Sequence, residues 1–274
     1  MKIVTTTSVF PFDYPADKAL ERLADIGFKN LDIAIDYCEM NHSGPFLSNN
    51  WRSWACGLRE LADKRGVSYT HAHSSGDASS RNEAMMRGFE LCNILGVKYM
   101  VVHPVYKKSE GVWYTDDEEF IKVNKEALKP LLELAEKNNV VILSENLLWG
   151  STIHPCSISA LVDEVNSDYF GWCYDTGHYN AHGVSYRKLV GNRIPLSLHI
   201  HDNNGGYRDE HLIPGDGNID WKGFLDTLHE IGYKGDLVLE AHHQSIDAPD
   251  EERDAILKEL LCRAEKMNEY YEKL

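Results

Sequence analysis

Histidines and carboxylates are concentrated in the segment 197–217, which reads SLHIHDNNGGYRDEHLIPGDG. The segment begins with alternating apolar and polar residues, the pattern of a half-buried strand. Five side chains that can bind a metal ion follow within thirteen residues, namely His199, His201, Asp202, Asp209 and His211. Imidazoles and carboxylates grouped at a strand end are typical ligands of divalent cations. The segment therefore predicts a metal site, provided that other strands supply ligands to the same place.

Residues of the same types end five other apolar segments of the chain. They are His71 and His73, then His103, Glu145, Asp175 with His178 in DTGH, and Glu240 in LVLEAHH. If these segments are parallel strands, their last polar residues all face one opening of the fold. Carboxylates that converge there would repel one another without a counter-ion. The pattern thus favours a bound divalent cation over a set of unrelated surface groups.

The segments that carry these residues alternate with amphipathic helical segments along the chain. Three of the predicted strands follow the order apolar residue, glycine, apolar residue, lysine, in IGFKN, LGVKY and IGYKG. The glycine suits a left-handed helix C-cap, and the lysine suits the negative end of the helix dipole. About eight such strand–helix units without a linker predict an α/β fold, a single (β/α)₈ TIM barrel over residues 1–274. A doubly wound sheet is the alternative, but no GxGxxG follows the first strand.

Local signals give finer expectations. Ser80 and Thr115 each precede a glutamate by three residues and indicate capping boxes. Pro130 inside a long helical segment predicts a kink or a break. The segment 37–50 has the composition of a lid or specificity loop. The six cysteines are scattered without a CxxC pair, so we expect them to be reduced and mostly buried.

The composition restricts the classes of function. With 274 residues and 43% hydrophobic content, the chain can bury a large core. Neither a leader-like N-terminal segment nor a membrane-length apolar run is visible, so we expect a cytoplasmic protein without a membrane span. The formal net charge of -15 suits cation binding and disfavours nucleic acid as a partner.

In chain order, the motifs HAH, VVHP, SENL, YDTGH, HIHD, DEHLIPGDG and LEAH resemble those of the xylose isomerase-like TIM barrel superfamily. That superfamily includes sugar isomerases and epimerases, and also the endonuclease IV nucleases (AP endonuclease family 2). The resemblance implies a shared divalent-metal site with the ligands Glu145, Asp175, His199 and Glu240. His199 is preferred to His201 because the H-x-x-D pattern of the superfamily fits 199–202. It also implies that Glu145 and Glu240 are the catalytic acid/base pair, as in the epimerase members.

The endonuclease IV members use five further ligands for additional zinc ions. The resemblance places these at His73, His103, His178, Asp209 and His211, and all five residues are present. In an isomerase, His73, His103 and His178 would instead bind substrate. Many sugar epimerases have an arginine at the position of His211, whereas LIPGDGNIDW resembles the isomerase-like members more than the nucleases. The implied cofactor is Mn²⁺, Zn²⁺, Mg²⁺ or Co²⁺, with one to three ions.

Three functions are compatible with this pattern. The first is a metal-dependent isomerase or epimerase that acts on a sugar or sugar-like hydroxy-ketone, with aromatic rings stacking on the sugar. The candidate rings are Phe10, Phe12, Trp113, Trp149, Tyr179 and Tyr207. The second is a multinuclear zinc phosphoesterase that acts on abasic DNA or a small phosphodiester, for which the basic candidates are Arg52, Arg81, Lys107, Lys108 and Arg208. The third is a metal-dependent dehydratase or lyase, or a binding protein that has lost catalysis. The partner expected for the leading function is a small carbohydrate-like substrate, and a homo-oligomer is compatible with all three.

Overall fold

Eight parallel strands form one sheet that closes into a barrel in the computed structural model, which describes residues 1–274. An isolated parallel bridge between Ile200 and Leu239 joins the last two strands and completes the ring. Around the barrel the strands are β1 (Ile3–Thr6), β2 (Asn30–Ala34), β3 (Ser68–Asp77), β4 (Tyr99–His103), β7 (Val141–Glu145), β8 (Phe170–Asp175), β9 (Ser197–His199) and β10 (Leu237–Leu239). The two remaining strands, β5 (Lys107–Ser109) and β6 (Val112–Trp113), form a separate antiparallel hairpin after β4. The prediction of a TIM barrel is confirmed.

Helices connect consecutive barrel strands and cover the outside of the sheet. They are α1 (Ala16–Ile26), α2 (Ile35–Met40), α3 (Trp51–Arg65), α4 (Glu83–Leu95), α5 (Asp117–Asn138), α6 (Pro155–Val165), α7 (Thr176–Ala181), α8 (Trp221–Glu230), α9 (His243–Asp247) and α10 (Asp250–Tyr271). Short 3₁₀ turns lie at Thr7–Val9, Pro45–Leu47, Gly150–Ile153 and Tyr186–Leu189. None of these helices combines the length and the apolar composition that crossing a lipid bilayer requires.

Two apolar layers lie on the two faces of the sheet. The larger one comprises 54 buried residues between the sheet and the helices, including Leu20, Phe89 and Leu228. The amphipathic pattern of the helical segments supplies its outer half, because their apolar stripes face the strands. A second, small cluster lies inside the barrel and comprises Val101, Leu143 and Cys173. The barrel interior is therefore packed rather than open.

The helices begin and end with the types of residue that the sequence predicts, but some capping residues lie one or two positions away from the predicted ones. Gly96 and Gly232, in two of the three repeated junctions, adopt φ values of 78° and 75°, the left-handed conformation expected of a glycine C-cap. The predicted capping boxes are displaced. Asn82 and Asp116 supply the capping oxygens instead, to the amides of Met85 and Glu119, each at 2.8 Å.

The residue that caps α4 differs from the predicted one because of a local turn. The Ser80 amide donates to the Asp77 carbonyl, so Ser80 belongs to a turn that precedes the helix.

Two other expectations are corrected. Helix α5 continues through Pro130 without a break. Pro130 is exposed, and the helical carbonyl that loses its partner can bind water there. All six cysteines are free, but only Cys92 and Cys173 are fully buried, fewer than expected.

Candidate metal and active site

The inward face of the barrel changes from apolar to ligand-type residues towards the C-terminal ends of the strands. Two residues beyond the inner apolar cluster, the same three strands carry His103, Glu145 and Asp175. Side chains alternate between the two faces of a strand, so these groups also point inward, directly above that cluster. The fold thus places them in the mouth where barrel enzymes bind substrate.

Four side chains from four neighbouring strand ends meet at the centre of the mouth. One ligand atom from each lies within 4.8 Å of those of the others, in the set Glu145, Asp175, His199 and Glu240. His199 Nδ1 is 2.6 Å from Glu145 Oε1 and 3.2 Å from Glu240 Oε2. The first three residues are fully buried, whereas the Glu240 side chain retains 15% of its exposure. The four ligands implied by the resemblance therefore converge, and we call them the central cluster.

Both glutamates of the central cluster are held in the ionised form. Burial raises the pKa of Glu145, but the charge of His199, its hydrogen bond and the nearby imidazole of His103 outweigh this effect, so this pKa lies well below its usual range. Burial raises the pKa of Glu240 as well, and again His199 outweighs it and lowers the pKa. Two buried carboxylates around one imidazole concentrate negative charge that only a proton or a cation can compensate.

Glu145 also belongs to a second cluster, with His73 and His103. Its Oε2 atom is buried and lacks an aligned hydrogen bond, although His103 Nε2 is 3.2 Å away and His73 Nε2 is 3.7 Å away. The Nε2 atoms of the two histidines are themselves 3.2 Å apart. Three ligand atoms directed at one point, with one of them unpaired, are expected around a cation.

A third cluster lies on the other side of Asp175 and comprises His178, His201, Asp209 and His211. Asp209 Oδ2 is 3.4 Å from His178 Nε2, and Asp209 Oδ1 is 3.1 Å from His211 Nε2. The rings of His201 and His211 stack with their centroids 3.8 Å apart. Burial raises the pKa of Asp209, but the imidazoles of His178 and His211 that face it lower this pKa far below its usual range.

Backbone carbonyls orient one histidine of the second cluster and two of the third. The Nδ1 atoms of His73, His178 and His211 lie 3.2, 2.8 and 2.8 Å from the carbonyls of Ser74, Asn146 and Glu240. A donor at Nδ1 leaves the lone pair of the neutral ring on Nε2, which faces the cluster in each case. This is the arrangement of metal-binding histidines, whose second nitrogen is fixed by a carbonyl or carboxylate. Together with the unpaired buried atoms of Glu145, His201 and Asp209, it shows that the residues fit divalent cations.

The loop after β9 is organised by Asp202, a residue of the opening motif. Its carboxylate accepts hydrogen bonds from the Gly215 amide and the Trp221 indole, both at 2.8 Å, and from the Asn203 and Ile219 amides at 2.9 and 3.2 Å. Asp202 is fully buried and faces no ligand cluster. It therefore fixes the loop that carries Asp209 and His211 rather than contributing to the metal site.

The aromatic residues predicted to stack on a sugar differ in their exposure to solvent. Phe10 and Tyr179 are each 1% exposed and belong to the outer core, so they cannot stack on a substrate. The remaining rings are accessible at the surface, namely Phe12, Trp113, Trp149 and Tyr207. Trp149 stacks on Tyr106, with centroids 5.8 Å apart.

The basic candidates for phosphate contact are mostly engaged with the protein itself. Arg52 pairs with Glu90, and Lys108 pairs with Glu119. Lys107 lies 2.6 Å from Glu110, and Arg81 donates to the backbone carbonyl of Ala78. Arg208 has only a long contact of 3.8 Å with Glu210. These side chains do not form a basic surface around the mouth.

The structure adds two histidines to the ligand set that the resemblance implies. His201, to which the H-x-x-D pattern prefers His199, lies 3.1 Å from both Asp175 oxygens and inside the third cluster. His242 packs against His211 with ring centroids 4.2 Å apart. The sequence signals for His201 and His242 are the motifs HIH at 199–201 and AHH at 241–243. His71, by contrast, is buried beneath the mouth beside Thr70 and belongs to none of the clusters.

TIM barrels with metal-ligating side chains at the C-terminal ends of their strands form a class of enzymes whose active site lies at that end of the barrel. The family model described as Xylose isomerase-like TIM barrel matches residues 20–262. The chain belongs to this family. Inosose isomerase of Bacillus licheniformis is 34% identical over 160 residues, which cover 53% of this chain and 54% of that protein.

Solved structures agree on the fold. A D-tagatose 3-epimerase-like protein has a TM-score of 0.71 at 27% identity, with 97% of this chain and 99% of that chain covered. The IOLI protein with a binding zinc atom has a TM-score of 0.78 at 21% identity, with 98% and 99% covered.

Proposed function

We propose that the protein is a divalent-metal-dependent isomerase or epimerase that acts on a sugar or sugar-like hydroxy-ketone. The convergence of Glu145, Asp175, His199 and Glu240 within 4.8 Å carries this proposal. These four residues would hold the ion. A bound divalent cation polarises the carbonyl and hydroxyl oxygens of such a substrate, which acidifies the adjacent C–H bond.

Glu145 and Glu240 perform the proton transfers in this proposal. They reach the centre from β7 and from the end of β10, which β8 and β9 separate in the sheet, and His199 of β9 lies between their carboxylates. One glutamate, as the carboxylate, removes the proton from carbon. The other takes up a proton before this step and delivers it to carbon from the opposite side, so the two glutamates exchange protonation states in each turnover. Protonated His178, whose Nδ1 donates to the Asn146 carbonyl, is placed to donate from Nε2 to a substrate oxygen when Asp209 is not its partner.

The relatives support a carbohydrate substrate. The inosose isomerase described above is 34% identical over about half of this chain, and the D-tagatose 3-epimerase-like structure matches 97% of it. A protein of the same fold is known with a zinc atom. These similarities favour isomerisation of a polyhydroxylated ketone over dehydration.

Solvent exchange tests the proposal directly. The purified protein, loaded separately with Mn²⁺, Co²⁺, Mg²⁺ and Zn²⁺, is incubated in D₂O with inosose, D-tagatose and D-fructose. We expect deuterium at the carbon next to the carbonyl of at least one ketone, seen by NMR and mass spectrometry. No exchange into any of the panel with any metal would remove the proposal.

A second candidate, a multinuclear zinc phosphoesterase, is favoured by one observation. The three ligand clusters are contiguous, and two of them share Glu145. Metal analysis by mass spectrometry separates the candidates. Three zinc ions per chain together with hydrolysis of bis(4-nitrophenyl) phosphate would support the phosphoesterase, whereas one ion per chain would exclude it.

A further inference from the structure

A second cavity lies beside the mouth, between the ends of β1 and β2 and helix α3. It has a volume of about 630 Å³. Five aromatic rings contribute to its lining, namely Phe12, Tyr14, Tyr37, Phe46 and Trp54. Phe46 is fully buried, with its ring centroid 6.0 Å from that of Trp54. A cavity of this size with such a lining suits an apolar group at least as large as a benzene ring.

This aromatic cavity shares a wall with the mouth. Thr7 directly follows β1, Ala34 ends β2, and both line the cavity. Thr7 Oγ1 accepts a hydrogen bond of 2.9 Å from the Ala34 amide, which closes the wall between the two strands. Ala34 is in register with His73 on β3, a member of the second cluster. The cavity therefore begins one strand away from a candidate ligand.

Helix α2 presents consecutive residues to the two spaces. Tyr37 lines the cavity, whereas Asp36 lies close enough to His73 and His103 for their charges to act on its carboxylate. Asp36 Oδ1 is buried and has no hydrogen-bond partner. A hydroxyl group at the boundary can donate to this atom. A ligand that spans both spaces thus finds a polar contact at the boundary and an apolar surface beyond it.

The charges around the cavity restrict what it can hold. None of its 21 lining residues is Lys, Arg or His, and Asp13 and Asp17 are the only carboxylates among them. A phosphate or carboxylate group would be repelled there and would find no cationic partner.

We propose that the aromatic cavity binds an uncharged, aromatic or similarly apolar substituent of the substrate, while the polyhydroxylated part occupies the mouth. The proposal rests on the proposed function for the nature of that polyhydroxylated part. The substrate class is then a sugar or cyclitol that carries an apolar substituent, and not a sugar phosphate.

The cavity can be tested without a sugar. The probe is 4-fluorobenzyl alcohol, and its binding is followed by ¹⁹F NMR. Gly57 on α3 lines the cavity, and a Cβ there meets no atom within 4 Å, so Gly57→Phe fills the space without a backbone clash. Cys56→Phe is the matched control, because Cys56 is exposed on the same helix and does not line the cavity.

We expect wild type and Cys56→Phe to bind the probe, and Gly57→Phe to bind it about tenfold more weakly. Absence of saturable binding to wild type, or equal affinity in Gly57→Phe, overturns the proposal. Trp54→Ala, which removes part of the wall, should also weaken binding.

A second experiment tests whether one ligand can occupy the mouth and the aromatic cavity together. Calorimetry on the metal-loaded protein compares the binding of phenyl and methyl β-D-glucopyranoside. We expect the phenyl glycoside to bind roughly tenfold more tightly to wild type, and this preference to disappear in Gly57→Phe. Equal affinities in wild type, or no binding of the phenyl glycoside, overturn the link. A phenyl preference without deuterium exchange overturns the proposed function alone, and exchange without a phenyl preference overturns the cavity proposal alone.

Discussion

Glu240 is the residue on which the acid/base proposal depends most directly, because it retains some exposure to the mouth while its pKa is lowered. Glu240→Gln keeps the volume of the side chain but removes the base and one negative ligand. We expect kcat to fall by about 10²- to 10⁴-fold with an unchanged circular dichroism spectrum. Glu110→Gln, on the exposed hairpin near the mouth, is the control and should retain full activity. Turnover at the wild-type rate in Glu240→Gln would show that the acid/base pair lies elsewhere.

Gly177 shows how closely the third cluster is packed. A Cβ at this position would lie 1.9 Å from His201 Cε1, inside the contact distance of any two carbon atoms. Gly177→Ala must therefore displace His201, and we expect it to reduce the free energy of unfolding by about 1–3 kcal/mol. Urea denaturation measures the change. Gly57→Ala is the control, because that helical site is open and alanine should be neutral or slightly stabilising there. Equal stabilities of the two variants would contradict the packing argument.

Asp32 is a buried carboxylate beneath the mouth, and burial raises its pKa to about 6. Because the folded-state pKa exceeds the unfolded value of 3.8, protonated Asp32 contributes stability below pH 3.8, and this is lost as the pH rises through about 6. The side chain introduced by Asp32→Asn cannot ionise, so the variant does not lose this stability as the pH rises. We expect the stability of the variant relative to wild type to increase by about 2 kcal/mol between pH 4.5 and pH 8. Urea denaturation of both proteins at the two pH values gives the difference, and a constant difference would contradict the assignment.

At the scale of elements, the loop that follows β9 should lose its structure when Asp202 is changed. Four N–H groups of residues 203–221 donate to this one carboxylate. Asp202→Ala leaves them without an acceptor, and we expect a loss of about 2–4 kcal/mol of stability and proteolytic cleavage within the loop. Asp168→Asn, at an exposed position, should change neither property. A protease-resistant Asp202→Ala variant would show that the loop is held by other contacts.

The strands and their ligand residues could be predicted from the sequence because both follow short-range rules. Period-two alternation places His103, Glu145 and Asp175 on one face, and a glycine before β2, β3, β4 and β10 marks where the preceding helix ends. Capping was predicted less accurately. Asn82 and Asp116 cap their helices although Ser80 and Thr115 fit the capping-box pattern. At α4 the reason is a turn, in which the Ser80 amide donates to the Asp77 carbonyl ahead of the helix.

Contacts between distant elements could not be read from the sequence. The role of His201 depends on Gly177, 24 positions earlier, which lets the imidazole approach Asp175. The aromatic cavity combines residues of α1, α2 and α3 whose apolar character alone predicts ordinary packing. Burial of Phe10 and Tyr179 likewise reflects tertiary contacts. The sequence therefore identified most of the ligand types but not the spaces around them.

At the scale of the whole molecule, protons and metal ions compete for the same positions. Burial lowers the pKa of His73, but the nearby carboxylates of Glu145, Asp36 and Glu240 outweigh this effect and raise the pKa to about 9. Nearby carboxylates also raise the pKa of His178, His199 and His211 above the ordinary value. Without metal, these protonated histidines contribute stability that is complete below pH 6.5 and is lost as the pH rises through their raised pKa values, which for His73 is about 9. The metal-free fold should therefore weaken over that range.

Metal binding reverses this trend, because a cation needs the neutral imidazoles and releases their protons. We expect the rise in Tm caused by a fixed excess of Zn²⁺ to be larger at pH 8 than at pH 6, since tighter binding stabilises the folded state more by mass action. Differential scanning fluorimetry of chelated and zinc-loaded protein at both pH values measures it. Glu240→Gln, which loses one ligand of the central cluster, should show a smaller rise at each pH. A zinc-induced rise that is independent of pH would mean that the ion does not bind to these histidines, and the proposed site would have to be abandoned.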